Sequence, residues 1–184
     1  MGVPYIPVIG LIGTDLLRNR EDMKVLPDPF DPARQTVVAR AYRPDVCLVH
    51  GLRADRAGNV DLGRANDDLI LAEASRCVIV TVEELVDRVE RPAHGGFLPG
   101  ILVDAVVEAA FGAHPAAFPG RYPVDEAHLR RYIEAGQSDE GFAEYLEETV
   151  YRPAGHGEYV ERFVPADWRR GAISQHALAK AVGE

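Results

Sequence analysis

The chain has 184 residues, 47% of them apolar, with a formal net charge of −9, enough for a real hydrophobic core in an ordinary soluble composition. The acidic balance and the lack of a basic stripe exclude nucleic acid or an anionic membrane surface as partners. Only Lys24 and Lys180 are lysines among 20 basic residues, an arginine-rich, alanine-rich usage that points to a bacterial coding sequence.

The first segment, "MGVPYIPVIGLIGTDLL", is apolar but broken by Pro4 and Pro7, and no positive charge precedes it. It therefore reads as neither a signal peptide nor a membrane span. No other apolar run approaches the ~20 residues a span needs, so a cytoplasmic protein is expected. Gly10 and Gly13 are closely spaced, which suits a loop folded over something or a plain surface loop with a hydrophobic anchor.

From Thr36 to Glu108 strands and helices alternate. "TVVARAY" (36–42) is β-branched and suits an edge strand, whereas "VCLVHGL" (46–52) and "CVIVTV" (77–82) are continuous apolar runs of strands covered on both faces. "NDDLILAEAS" (66–75) lies between them as a helix, with Asn66 as cap and Asp67 and Asp68 at the positive end of its dipole. Strand, helix, strand implies a parallel pair with a right-handed crossover. "TVEE" (81–84) fits a capping box in which Thr81 closes a helical turn and Glu84 reaches back; a catalytic carboxylate at the carboxyl end of a parallel strand is the competing reading. "GILVDAVVEAA" (100–110) supplies a further strand.

From Asp125 onward the pattern is helical. "DEAHLRRYIEAG" carries Leu129, Tyr132 and Ile133 on one stripe, with Asp125 as cap and Gly136 as stop. "EGFAEYLEETVY" repeats the stripe, "PAGHGEY" (153–159) breaks it, and Trp168 begins a last helical segment.

The chemistry-bearing residues are sparse. Cys47 and Cys77 sit in apolar runs and read as buried thiols, not a disulfide or zinc pair. The six histidines show no ligand spacing, so no metal site is expected. His50 reads as a hydrogen-bonded core residue, while for His114, in "FGAHPAAFPGRY", a turn and a site remain equally open. No nucleophile elbow, P-loop or dinucleotide fingerprint is present. In "GLRADRAGNV" the Gly58-Asn59 pair makes a turn, Asp55 can accept its backbone amides, and Arg53 or Arg56 offers a fork for a carboxylate or phosphate. An Asp–Arg pair stapling a hairpin is the plainer alternative.

"ADRAGNV" after an apolar strand, then a helix, then "VIVTVEELV", resembles the A (alpha) subunit of the family I coenzyme A transferases. "GVPYIPVIGLIGTDLL" resembles a further segment of that family, and "GILVDAVVEAAFGAHP" followed by "PGRYPVDEAHLRRYIEAG" resembles the alpha subunit of its glutaconate CoA-transferase branch; the resemblance covers residues 2 to about 151. The resemblance implies an open, mostly parallel sheet in a three-layer α/β/α sandwich, amino-terminally incomplete because the first third of such subunits has no counterpart here. The expected organisation is a partial α/β domain over 1–122 and a helical carboxyl-terminal extension over 123–184 packed on it.

The implied activity is transfer of coenzyme A between carboxylic acids through a glutamyl-CoA intermediate on a partner B (beta) subunit, in a heterotetramer. A CoA thioester is then the substrate, and no cofactor is bound permanently. No segment here matches the nucleophile's motif, so no catalytic residue is assigned to this chain. By position, Gly13, Thr14 and Arg53 are the expected substrate-binding residues. A related branch implies instead a subunit of a CoA-thioester ring-opening hydrolase of steroid breakdown. An inactive fragment or partner-binding module is the non-enzyme alternative.

Overall fold

The computed structural model describes residues 3–63, 68–93 and 95–169. By internal contacts the chain divides into two compact units, Met1–Pro44 and Asp45–Glu184.

The first unit is a three-stranded antiparallel sheet of β1 (Tyr5–Val8), β2 (Met23–Pro27) and β3 (Gln35–Arg40), in the order β1-β3-β2. The segment expected at a sheet edge is thus the central strand. Both ladders of β3 are satisfied, and Val37 is the buried residue at its middle. Between β1 and β2 the backbone takes positive φ at Gly10, Leu11 and Gly13 (88°, 68° and 83°). Glycine accepts these angles without cost, and Leu11 is the strained member of the trio.

The second unit is built on a five-stranded sheet ordered β7-β5-β4-β6-β8. The strands are β4 (Val46–Ala54), β5 (Val60–Asp61), β6 (Cys77–Leu85), β7 (Phe97–Leu98) and β8 (Ala105–Glu108). β4, β6 and β8 are parallel, while β5 pairs antiparallel with β4 and β7 antiparallel with β5. The α/β class is as expected and the sheet is mixed. Helix α1 (Asp68–Ala74) lies between β5 and β6; the caps expected at Asn66 and Asp67 lie outside the described residues.

One face of this sheet is hydrocarbon. Cys47, Val49, Val78, Val80 and Val82 pack with Ala72 of α1, Val60, Leu62 and Leu98, all buried. Both cysteines are free, Cys47 buried and Cys77 partly so. The other face departs from expectation. Val46 and Leu48 are exposed, so the apolar runs are covered along their length on one side only.

The capping box is not formed, because Thr81 to Glu84 belong to β6. The parallel register with β4 continues through Arg53–Glu84 and Ala54–Leu85, and it satisfies the backbone amides that a cap would serve. "GILVDAVVEAA" divides likewise. Gly100–Leu102 is a 3₁₀ turn, and the Asp104 carboxylate accepts the Val78 amide at 2.7 Å before the strand begins at Ala105.

The helices after residue 125 follow the sequence closely. In α2 (Glu126–Ala135) the Asp125 side chain accepts the His128 amide at 2.9 Å and Gly136 ends the helix. Helix α3 (Asp139–Leu146), capped by Ser138, runs into a π-helical turn at Glu147–Tyr151. The expected break is shorter than read: α4 spans His156–Phe163, and α5 (Ala166–Arg169) contains Trp168.

Candidate functional site

At the carboxyl end of β4 the chain turns back at once, and β5 pairs antiparallel with it through Arg53–Asp61 and Ala54–Val60. The turn is rigid for an identifiable reason. The buried Asp55 carboxylate accepts the amides of Ala57 (2.9 Å), Asn59 (3.0 Å) and Val89 (2.9 Å), and also the Asn59 side-chain amide. The Val89 amide foremost, against the opposing effect of burial, holds its carboxyl below the usual range. Asn59 Oδ1 accepts the Gly100 amide at 3.1 Å, which ties the turn to the loop before β8. A Cβ on Gly100 would stand 2.0 Å from the Ala57 carbonyl oxygen, so the close approach requires glycine there.

Two openings flank this turn. One, of about 380 Å³, lies between Asp55–Gly58 and Leu85 with Val103–Val106. The other, of about 270 Å³, is lined by Arg53, Val86, Arg88, Val89 and Glu90. Arg53 donates to the buried Asp61 at 2.9 Å, and 47% of its side chain is exposed. The hairpin and its Arg–Asp staple, the plainer alternative at the sequence level, are therefore present. Arg53 still faces an opening that could seat an anion. Gly13 and Thr14 belong to the first unit, where the Thr14 hydroxyl donates to the Leu11 carbonyl at 2.7 Å.

Sequence reasoning missed a second polar centre. The side chain of Glu83 is 6% exposed, and Oε1 accepts from His50 Nε2 (2.7 Å) and the Tyr122 hydroxyl (2.7 Å). Oε2 accepts the Phe111 amide at 2.9 Å. Burial disfavours the charge, but these three donors outweigh it and hold the carboxyl below its ordinary range. Burial and the adjacent carboxylate push the Tyr122 phenol well up, so it stays a donor. The other ring nitrogen of His50, Nδ1, lies 2.8 Å from the Thr81 hydroxyl. The signal was alternation. With Val78, Val80 and Val82 facing one way, Thr81 and Glu83 face the other, with Thr81 opposite His50 in register. Each Glu83 oxygen is taken, so this carboxylate is a post that fastens residues 111–122 to the sheet.

A third cluster joins histidines that spacing had kept apart. Donor atoms of His114, Asp125 and His128 lie within 4.8 Å of one another. His114 Nδ1 meets the Tyr159 hydroxyl at 2.8 Å and Nε2 meets Asp125 at 3.1 Å, while His128 Nε2 meets the Tyr145 hydroxyl at 2.8 Å. Burial, reinforced by His114, keeps His128 neutral more readily than usual, and burial pushes the Tyr159 phenol up to about 12. His114 and His128 each engage a tyrosine hydroxyl and His114 also engages Asp125, so the cluster ties the loop before α2 to α2, α3 and α4, and its three side chains could also hold a metal ion.

A mixed sheet with a parallel core, an ordered hairpin at its carboxyl end and a helical cover are the parts of a known architecture. Residues 1–109 match the family model for coenzyme A transferase, and the chain belongs to that family. Among its relatives, the alpha subunit of glutaconate CoA-transferase from Acidaminococcus fermentans is 30% identical over 88% of this chain and 56% of its own length. The crystal structure of that enzyme superposes with a TM-score of 0.83, over 88% of this chain and 57% of that one. The structure of the decarboxylase AibA/AibB matches with a TM-score of 0.69 at 36% identity, over 82% and 55% of the two chains. The cholesterol ring-cleaving hydrolase IpdA subunit from Rhodococcus jostii is 29% identical over 78% and 52%. The chain spans about half the length of these relatives. Among the described residues, no helix is long and apolar enough to cross a membrane.

Proposed function

We propose that this chain forms part of the alpha subunit of a cytoplasmic CoA-transferase that moves coenzyme A from a CoA thioester to a second carboxylic acid. The observation that carries this reading is the superposition on glutaconate CoA-transferase at a TM-score of 0.83, over nearly the whole chain. The reacting glutamate belongs to a partner beta subunit in a heterotetramer, where it attacks the acyl carbonyl and then accepts the thiolate as a glutamyl-CoA thioester. Arg53 of the second unit, oriented by Asp61, receives the carboxylate of the acid. In the first unit, the Gly13–Thr14 turn offers backbone and hydroxyl contacts to substrate.

The assembled alpha/beta enzyme is expected to exchange coenzyme A only when an acceptor acid is supplied. Arg53→Ala is expected to raise KM for that acid by about tenfold or more, the loss of one charge-assisted bond. Unchanged turnover and KM values would remove Arg53 from the site.

The second reading is hydrolysis, favoured by the similarity to the ring-cleaving hydrolase subunit. Loss of CoA thioester at full rate without any acceptor would select it.

A further inference from the structure

His114, Asp125 and His128 have no part in the proposed reaction, yet together they carry the donor set of a metal centre. His114 comes from the loop after β8, Asp125 caps α2, and His128 lies in the first turn of that helix. One ligand atom from each lies within 4.8 Å of the other two, and the His114–Asp125 pair already stands at 3.1 Å. Two imidazoles and a carboxylate are a zinc donor set, and bonds of about 2.0–2.1 Å in a tetrahedron hold ligand atoms about 3.3 Å apart. Closing the widest gap therefore takes about 1.5 Å, within the reach of small side-chain rotations.

The remaining atoms of the three side chains are held by partners that suit such a centre. Asp125 Oδ1 accepts the His128 amide, which leaves Oδ2 to face His114 Nε2. His114 Nδ1 and His128 Nε2 each lie 2.8 Å from a hydroxyl, of Tyr159 and of Tyr145. A ligating histidine gives its second nitrogen to a partner of this kind, which fixes the ring and its tautomer. His128 Nδ1 has no hydrogen-bond partner among the described residues. The rings of Tyr145, Tyr159, Phe163 and Trp168 stand around the imidazoles, a low-dielectric wall in which a carboxylate attracts a cation more strongly. Arg131 is close by, but its pair with Glu148 offsets its charge. The His114 side chain is fully buried and that of Asp125 is 11% exposed, so the carboxylate marks the side of entry.

We propose that His114 Nε2, Asp125 Oδ2 and His128 Nδ1 bind one zinc ion, with a water in the fourth position. The ion displaces to solvent the proton between His114 and Asp125. It fastens the loop after β8 to α2, and the tyrosine hydroxyls carry that hold to α3 and α4. The inference is independent of the proposed reaction, so a chain that binds zinc and transfers no coenzyme A would leave it standing.

The full chain, stripped with a chelator, is titrated with zinc and followed by metal analysis and by the fluorescence of Trp168, whose ring lies 6.3 Å from His114. One zinc per chain and a raised Tm are expected. Cobalt in its place is expected to give the intense visible bands of a four-coordinate ion. His114→Gln and Asp125→Asn are each expected to weaken zinc binding at least about 100-fold, and Tyr159→Phe about tenfold through its lost hydroxyl. His156→Gln and Cys77→Ser change donors outside the cluster and are expected to leave binding unchanged. Should a ligand variant fail to fold, the cobalt spectrum of the native chain and the Tyr159→Phe titration decide. Failure of the native chain to retain zinc, or the weak bands of six-coordinate cobalt, would overturn the proposal. So would undiminished binding in His114→Gln or Tyr159→Phe, or loss of the ion in Cys77→Ser or His156→Gln.

Discussion

Around Val80 the second unit is all hydrocarbon, and around His114 it is almost all hydrogen bonds. Val49, Val78, Val80, Val82, Val60 and Leu98 make a dry layer beneath the parallel strands. The helical region is instead filled by rings that are both apolar and polar. His114 and His128 meet edge-to-face at 4.9 Å, Tyr122 stacks on Trp168 at 6.0 Å, and Tyr145 and Tyr159 hold imidazole nitrogens. The two interiors respond differently to damage. A lost methyl group in the first costs its transfer energy and a small cavity. A lost atom in the second strands a buried partner, and leaving a donor or acceptor unmade costs more than making the bond contributes.

The largest expected effect lies where the two interiors join. Glu83→Ala orphans His50, the Tyr122 hydroxyl and the Phe111 amide together. It is expected to cost about 3–5 kcal/mol, because each buried donor left without its acceptor costs about 1–3 kcal/mol. Denaturant unfolding followed by Trp168 fluorescence measures it, and a loss below that of Val80→Ala, expected at about 2 kcal/mol, would break the contrast. Next, Gly100→Ala must push the Ala57 carbonyl away, at about 1–3 kcal/mol for overpacking. Faster proteolysis at residues 55–59 would report the freed turn.

The acid limb of stability follows from the same groups. Glu83, Asp125 and Asp55 are all held below their ordinary values. A carboxylate depressed in the fold stabilises it fully above its unfolded value, about 4, and loses that contribution as pH falls through the folded value. Melting temperatures should therefore drop steeply below about pH 4. The smallest effect is set by His128, whose folded pKa is also lowered. The unfolded ring takes up a proton near pH 6.5 before the folded one does, so stability should begin to decline from about that pH downward, by at most ~1.4 kcal/mol per unit. His128→Gln should flatten that early slope and leave the carboxylate limb in place.

The contrast also separates what could be read in the chain from what could not. The hydrocarbon layer announces itself in "VCLVHGL" and "CVIVTV", and α2 does so through Asp125 and Gly136, because periodicity and caps are local. Thr81–Glu84 has the same local form as a helix cap, and only the pairing with β4 makes it strand. "TVVARAY" carries no sign that partners flank it on both sides. His114, Asp125 and His128 share no ligand spacing, and they meet because the loop before α2 folds back on its first turn. Resemblance carried the reading beyond what residue chemistry alone supported, and the family match bears out the family it named.

The most direct test of the account uses the assembled alpha/beta enzyme, a CoA thioester and an acceptor acid in ¹⁸O-labelled water. Transfer through an enzyme glutamate draws the oxygen of the released acid from carboxylates, so the account predicts product acid free of solvent label and new thioester formed in equal amount. Solvent ¹⁸O in the released acid, with coenzyme A set free and no new thioester, would contradict it.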